Sequence, residues 1–208
     1  MSGVGLGYRA FRRTLDIVVS FVGLVVTVPL FLPVAFAIAV TSRGPVFFAQ
    51  DRVGLHGATF TIVKFRTMRH GTHDEVIADD AARAAYVANG YKLGEDDPRI
   101  TRVGRWLRKT SLDELPQLVN VLAGQMSVVG VRPLVPDELA ARPIADRELY
   151  CRLRPGLTGL WQIAGRSSLE PASRVELDRD YLTRCSIGLD LRILARTPAA
   201  LVRTHEAR

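Results

Sequence analysis

Between Ile17 and Ser42 the chain reads IVVSFVGLVVTVPLFLPVAFAIAVTS, without one charged residue. An apolar run longer than about 18 residues marks a membrane segment. It is too long for a signal-peptide core, and no small-residue cleavage pattern follows it, so it reads as a retained anchor. Pro29 and Pro33 interrupt it. Each removes a helical backbone donor, which membrane helices tolerate. Arg9, Arg12 and Arg13 precede the run, and Arg43 and Arg52 follow it. Positive flanks stay on the cytoplasmic side, so two basic flanks favour a helix bent at the prolines over a full span. The first arm, Ile17 to Val28, would be about 18 Å long at 1.5 Å per residue. That reaches roughly halfway through a ~30 Å hydrocarbon core. A full span is the alternative.

From residue 43 onward the composition is that of a globular domain. GPVFFAQDRVG and GATFTIVKFRTM predict two short strands around a turn at Gly54 to Gly57. Residues 71–98 are polar and acidic. They predict a surface excursion or lid, with a short alanine-rich helix at Asp79 to Ala88. Arg99, Arg102, Arg105 and Arg108 then recur every third residue. On a helix they form a basic stripe, either solvated or turned toward phosphate, including membrane headgroups. The formal net charge of +7 agrees with anionic partners.

Directly after this stripe, SLDELPQL places Asp113 beside Glu114. Ser111 and Glu114 fit a capping box. Asp113 as the N-cap would place Pro116 harmlessly in the first turn. Leu115, Leu118, Val119 and Leu122 give the helix an apolar face, and Gly124 suits its end. The two acids can be helix-start residues favoured by the dipole. They can also do chemistry, because helix N-termini bind phosphate. Neighbours on a helix diverge by about 100°, so one acid can address a reacting atom and the other a metal ion.

Further on, Arg132 is followed by Pro133, and Arg152, Arg154 and Arg166 lie among Pro155, Gly156, Gly159 and Gly165. Arginines on stiff turns suit bidentate phosphate recognition. Asp178, Asp180 and Asp190 read as surface charges, within a helix to about Thr183 and a second near Leu189 to Val202. Cys151 and Cys185 have no metal or redox spacing and read as reduced thiols. His70 and His73 lack acidic co-ligands. Aromatic residues are 7% of the chain and no nucleic-acid motif occurs, so no nucleic-acid partner is expected.

In their order, RRTLDIVVS, GPVFFAQDRVG, FTIVKFRTM, DPRITRVGRWLRKTSLDELPQLVNVLAGQMSVVG, RPGLTGLWQIAGR and LDRDYL resemble the bacterial sugar transferases. These are monotopic phosphoglycosyl transferases acting on polyprenyl phosphate. The resemblance runs from about Arg9 to Val202 and implies the minimal, catalytic-core form of the family. It implies an α+β, mostly helical fold with amphipathic surface helices and a short β-hairpin. Residues 1–42 would be the N-terminal segment and re-entrant membrane helix, and residues 43–208 a cytoplasmic catalytic domain on the inner membrane.

The implied reaction moves sugar-1-phosphate from a UDP-sugar to polyprenyl (undecaprenyl) phosphate and releases UMP. It would be the first membrane step of a glycan or exopolysaccharide pathway, with membrane lipids around the enzyme and glycosyltransferases acting downstream. The oligomeric state is left open. By the resemblance, Asp113 is the nucleophile, and Glu114 with Asp113 holds magnesium. Lys64, Arg108, Arg132 and Arg166 match basic motif positions and are assigned to phosphate or nucleotide. Two departures stand out: Val131 replaces the first proline of the family's usual Pro-Arg-Pro, and Val28 precedes Pro29 where serine is often found. The alternative is a catalytically silent membrane-surface scaffold that binds nucleotide sugars or partner enzymes.

Overall fold

The computed structural model describes residues 5–94, 96–165 and 169–203. The apolar run is one helix, α1 (Leu6–Thr41), with Pro29 and Pro33 inside it and no turn dividing it into two arms. It is the one helix among the described residues long and apolar enough to cross a membrane. Its two faces differ. Arg12, Asp16, Ser20, Val34 and Ile38 are buried, whereas Val18, Phe21, Val22, Val25, Leu32, Phe36 and Val40 are exposed. Spacings of three and four residues put each set on one stripe.

The inner stripe docks along its whole length. Tyr8 donates to Asp190 Oδ2 at 2.8 Å, and Arg12 donates to the carbonyl of Val129. Asp16 Oδ1 accepts from Ser127 Oγ at 2.8 Å and from the Val128 N–H at 2.7 Å. Near the other end, Phe31 meets Phe65 edge-on at 5.1 Å, and Arg66 donates to the Ser42 carbonyl at 2.7 Å.

The expected hairpin is present. β1 (Phe47–Val53) pairs antiparallel with β2 (Thr59–Phe65), with Phe47 opposite Phe65. The polar excursion contains α2 (Thr72–Ala78) and α3 (Asp80–Ala88). Asp79 caps α3 by accepting from Ala82 N–H at 2.6 Å, so the helix begins where the sequence places it. Next come α4 (Arg102–Thr110), a 3-10 turn over Leu112–Glu114, and α5 (Gln117–Leu122). α6 (Pro136–Ala140), α7 (Ile144–Tyr150) and α8 (Leu160–Ala164) are short, while α9 (Pro171–Arg184) and α10 (Ile187–Arg203) form the C-terminal pair.

One sheet was not expected from sequence: β3 (Ser127–Val129) pairs parallel with β4 (Gly156–Thr158). It explains the glycine-rich turn. A Cβ on Gly156 would stand 2.1 Å from the Gly130 backbone nitrogen, so the glycine serves backbone approach rather than phosphate. Arg154 is likewise structural, donating to the Gly124 carbonyl at 2.6 Å. Asp178 and Asp190 also differ from expectation, being buried instead of on the surface. Asp190 accepts from both Tyr8 and Tyr181, which offsets the cost of burying its charge.

The main core joins Val53, Ile62, Val121, Met126, Val129, Val131, Leu134, Tyr150, Tyr181 and Ile193. Val131, in place of the family's usual proline, is part of that core, 1% exposed. A second cluster joins Val34 and Ile38 of α1 to Phe65 and Leu107. It lies beside the strand and helix that carry Lys64 and Arg108.

Candidate active site

The acid pair is positioned by the joint between α4 and α5. Thr101 caps α4, accepting from the Gly104 N–H at 2.9 Å. A Cβ on Gly104 would be 1.8 Å from the Thr67 carbonyl oxygen, so glycine lets α4 lie directly on the end of β2. α4 stops at Ser111, which is left-handed (φ 57°), and the chain makes its 3-10 turn. Pro116 is the N-cap of α5, and no side chain caps either element. The expected capping box is therefore not formed: the acids sit in the turn, one step before α5. Gly124 ends α5 with φ 78°, as expected, and Arg13 of α1 donates to the exposed helix-end carbonyls of Val121 and Leu122.

In this turn the two acids do diverge. Asp113 is buried and Glu114 is half-buried. The Asp113 carboxyl is pushed up to about 7, first by burial and then by the charge of Glu114, against the pull of Lys64 and Arg108. Lys64, on β2, is pushed down to about 8 by burial, while Asp113 works in the opposite direction. Arg108 turns inward from α4, its Nε donating to Thr67 Oγ1 at 3.0 Å. The basic stripe is thereby split: Arg102 and Arg105 are exposed, and Arg99 pairs with Asp97 at 2.7 Å.

Asp113 makes none of the ion pairs present among the described residues. It is a buried carboxyl facing two cations without being neutralised by either. Such a group is poised for a ligand rather than for stability. The same imbalance suits a divalent cation. No cluster of three or more His, Cys, Asp or Glu side chains able to hold a metal occurs among the described residues. Asp113 and Glu114 are the adjacent carboxylates here that could hold a divalent cation such as magnesium, which keeps several waters of its own.

Arg132 belongs to a neighbouring cavity of about 180 Å³. It pairs with Glu138 at 3.0 Å and donates to the Tyr91 carbonyl at 3.5 Å. Glu138 and Asp178 both approach Arg142, at 3.8 and 3.6 Å. Lys92, Trp161 and Arg174 complete the wall. The charge of Glu114 reaches Lys92 in the cavity wall, although none of Asp113, Glu114, Lys64 and Arg108 lines the cavity itself. Beyond Tyr91 lies a second concavity of about 420 Å³, bordered by Gln50, His73, Tyr86 and Asp137. The structure thus brings Lys64 and Arg108 to Asp113 and Glu114 and sets Arg132 next door; Arg166 lies outside the described residues. Of the cavity's lining, Lys92, Glu138, Trp161 and Arg174 were not singled out from the sequence, and Asp178 was read as a surface charge. The lone signal was Trp161, a large aromatic in an otherwise glycine-rich stretch.

Residues 7–204 match the family described as bacterial sugar transferase. The chain is 41% identical over 202 residues to the undecaprenyl-phosphate galactose phosphotransferase of Salmonella typhimurium, covering 96% of this chain and 42% of that protein. It is 43% identical over 194 residues to the exopolysaccharide production protein ExoY of Sinorhizobium fredii, covering 91% and 84%. To the UDP-glucose:undecaprenyl-phosphate glucose-1-phosphate transferase of Caulobacter vibrioides it is 41% identical over 203 residues, covering 94% and 71%. The chain spans about two fifths of the length of the Salmonella protein and of a Haemophilus influenzae sugar transferase, but most of the other two.

Proposed function

The chain belongs to the bacterial sugar transferase family, and from that premise we propose that it transfers sugar-1-phosphate from a UDP-sugar to undecaprenyl phosphate. The observation that carries this reading is Asp113: a buried carboxyl beside Glu114 that joins none of the ion pairs among the described residues, with Lys64 and Arg108 acting on it. Asp113 Oδ attacks the sugar-bearing phosphorus, the bond to the bridging oxygen breaks, and UMP departs. The aspartyl phosphosugar then meets an oxygen of undecaprenyl phosphate. That oxygen bonds to phosphorus, the acyl-phosphate bond breaks, and the Asp113 carboxylate is restored. Two steps avoid the direct meeting of two anionic phosphates.

Lys64 and Arg108 favour the ionised form of Asp113, against burial and Glu114, and gather the phosphate. Glu114, with Asp113, would hold magnesium, which when bound offsets charge on the diphosphate. Burial of Asp113 keeps water from the acyl phosphate, protecting it from hydrolysis. The relatives' names support the lipid acceptor and place such proteins in exopolysaccharide production.

The membrane arrangement belongs to the same proposal. Tyr8 to Asp16 and Phe31 to Ser42 dock on one body, formed by the described residues from 43 onward. A full span would put these two ends on opposite faces of a ~30 Å core. Joint docking, with basic flanks at both ends, argues against a full span; α1, undivided by a turn, would enter the membrane from one side only, with the body on the cytoplasmic face of the inner membrane. The exposed apolar stripe of α1 faces lipid.

The experiment is turnover with a panel of UDP-sugars, magnesium and undecaprenyl phosphate, reading UMP release and a lipid-soluble labelled product. Absence of both across the panel sinks the enzyme and favours the scaffold.

A further inference from the structure

The donor has two phosphates, and the acid pair accounts for one. The transferred phosphorus must lie against Asp113, where Lys64 and Arg108 are placed. The other phosphate leaves with the nucleoside, gaining negative charge as the bridging bond breaks, and it needs cations of its own.

The cavity that contains Arg132 has the right content, and the charge of Glu114 reaches its Lys92. Its volume of about 180 Å³ suits a phosphate group rather than a whole nucleotide. Lys92 comes from the polar excursion, Arg132 from the segment after β3, and Arg174 from α9. Glu138 and Asp178 pair with Arg132 and Arg142, whereas Lys92 has no carboxylate within ion-pair reach among the described residues. Its ammonium instead sits over the Trp161 ring, 4.0 Å from the centroid, and the Arg174 guanidinium approaches the same ring at 5.9 Å. Burial, together with the nearby charges of Arg132 and Arg174, pushes Lys92 down to about 7. Cations crowded in a half-buried wall repel one another, and an anion among them relieves that repulsion. None of these residues lies on the bare apolar stripe of α1, which favours the nucleotide over a lipid phosphate.

We propose that the cavity walled by Lys92, Arg132, Arg174 and Trp161 holds the nucleoside-side phosphate of the donor and retains it as the departing nucleoside 5′-monophosphate. This subsite rests on the proposed phosphosugar transfer for its ligand, and Lys92 is its binding residue. Trp161 positions Lys92 by presenting its ring face.

The chain has two tryptophans, Trp106 and Trp161. Trp106 is exposed on α4, so a Trp106→Phe background leaves Trp161 as the sole indole reporter. In detergent or nanodiscs, UMP should change Trp161 emission saturably, while undecaprenyl phosphate should not. Lys92→Met should weaken UMP binding and raise the donor KM by about tenfold or more, the scale of a lost charge-assisted hydrogen bond. The KM for undecaprenyl phosphate should stay within about twofold, well under 1 kcal/mol. Lys92→Arg, keeping the charge, should recover most of the UMP affinity. Equal UMP affinity in parent and Lys92→Met overturns the subsite, as does a loss confined to the lipid acceptor. Turnover with Lys92-independent UMP binding discards the subsite and keeps the transferase. Lys92-dependent UMP binding without turnover of any donor keeps the subsite and discards the transferase.

Discussion

Asp113 combines burial with an uncompensated charge, and both properties are measurable. Asp113→Asn should lower turnover by roughly 10³-fold or more, as loss of a nucleophile does, with no phosphosugar adduct. Attack requires the carboxylate, and the phosphate cradle requires the Lys64 ammonium. Plotted against pH, kcat/KM should therefore rise toward about 7 and fall above about 8, following the two groups. The apparent values belong to the interacting pair. More magnesium should move the acid limb to lower pH, because a bound cation favours ionised acids. Folding stability carries the opposite sign. A carboxyl raised in the folded state adds stability below its unfolded value near 3.8, and that stability is lost as pH rises through about 7. Thermal melts should show Asp113→Asn gaining on the parent between pH 4 and 8. Asp113, Glu114, Lys64 and Arg108 were brought forward by the family resemblance, and the fold sets the four within electrostatic reach of one another. Lys92 was not: a lysine in a polar excursion is ordinarily solvated, and only the fold sets it over Trp161 and near Arg174.

The joint of β2, α4 and the acid-bearing turn depends on close backbone approach. Gly104→Ala would drive a methyl into the Thr67 carbonyl. We expect it to cost about 1–3 kcal/mol and to lower kcat by displacing Arg108 along with α4; melting curves and steady-state kinetics would check both. Asp16 is the corresponding joint for α1, receiving Ser127 Oγ–H and Val128 N–H. Asp16→Ala leaves those buried donors without acceptors and should cost about 1–3 kcal/mol per stranded group, read as a lower melting temperature in detergent. The hairpin, the excursion helix and the C-terminal helices were legible from alternation, capping and helical period. β3 and β4 were not, since three-residue strands carry no period. The glycines of that region, which sequence reasoning read as turns carrying phosphate-binding arginines, are required because two backbones touch at Gly130 and Gly156. The acid pair was expected at a helix start; the left-handed turn at Ser111 moved it into the preceding 3-10 turn, and no local pattern announces that residue's φ.

For the whole molecule, α1 is a structural part of the body as well as the candidate membrane helix, because both of its ends dock on the domain that carries the acids. Ser2→Cys and Arg43→Cys, each placed in a chain with Cys151 and Cys185 replaced by serine, should both be shielded from an impermeant thiol reagent on intact cells. Labelling of one position and not the other would establish a full span. The sequence indicated a membrane helix with two basic flanks; only the fold shows what those flanks hold, Arg12 and Arg13 binding the carbonyls of Val129, Val121 and Leu122. The central claim is that Asp113 carries the phosphosugar between donor and lipid. Intact-protein mass spectrometry of the chain incubated with magnesium and a panel of UDP-sugars, without lipid acceptor, tests it directly. We predict a mass increase of one phosphosugar with one UDP-sugar, located on Asp113, absent in Asp113→Asn and discharged by undecaprenyl phosphate. An adduct that persists in Asp113→Asn, or turnover in that variant, would contradict it.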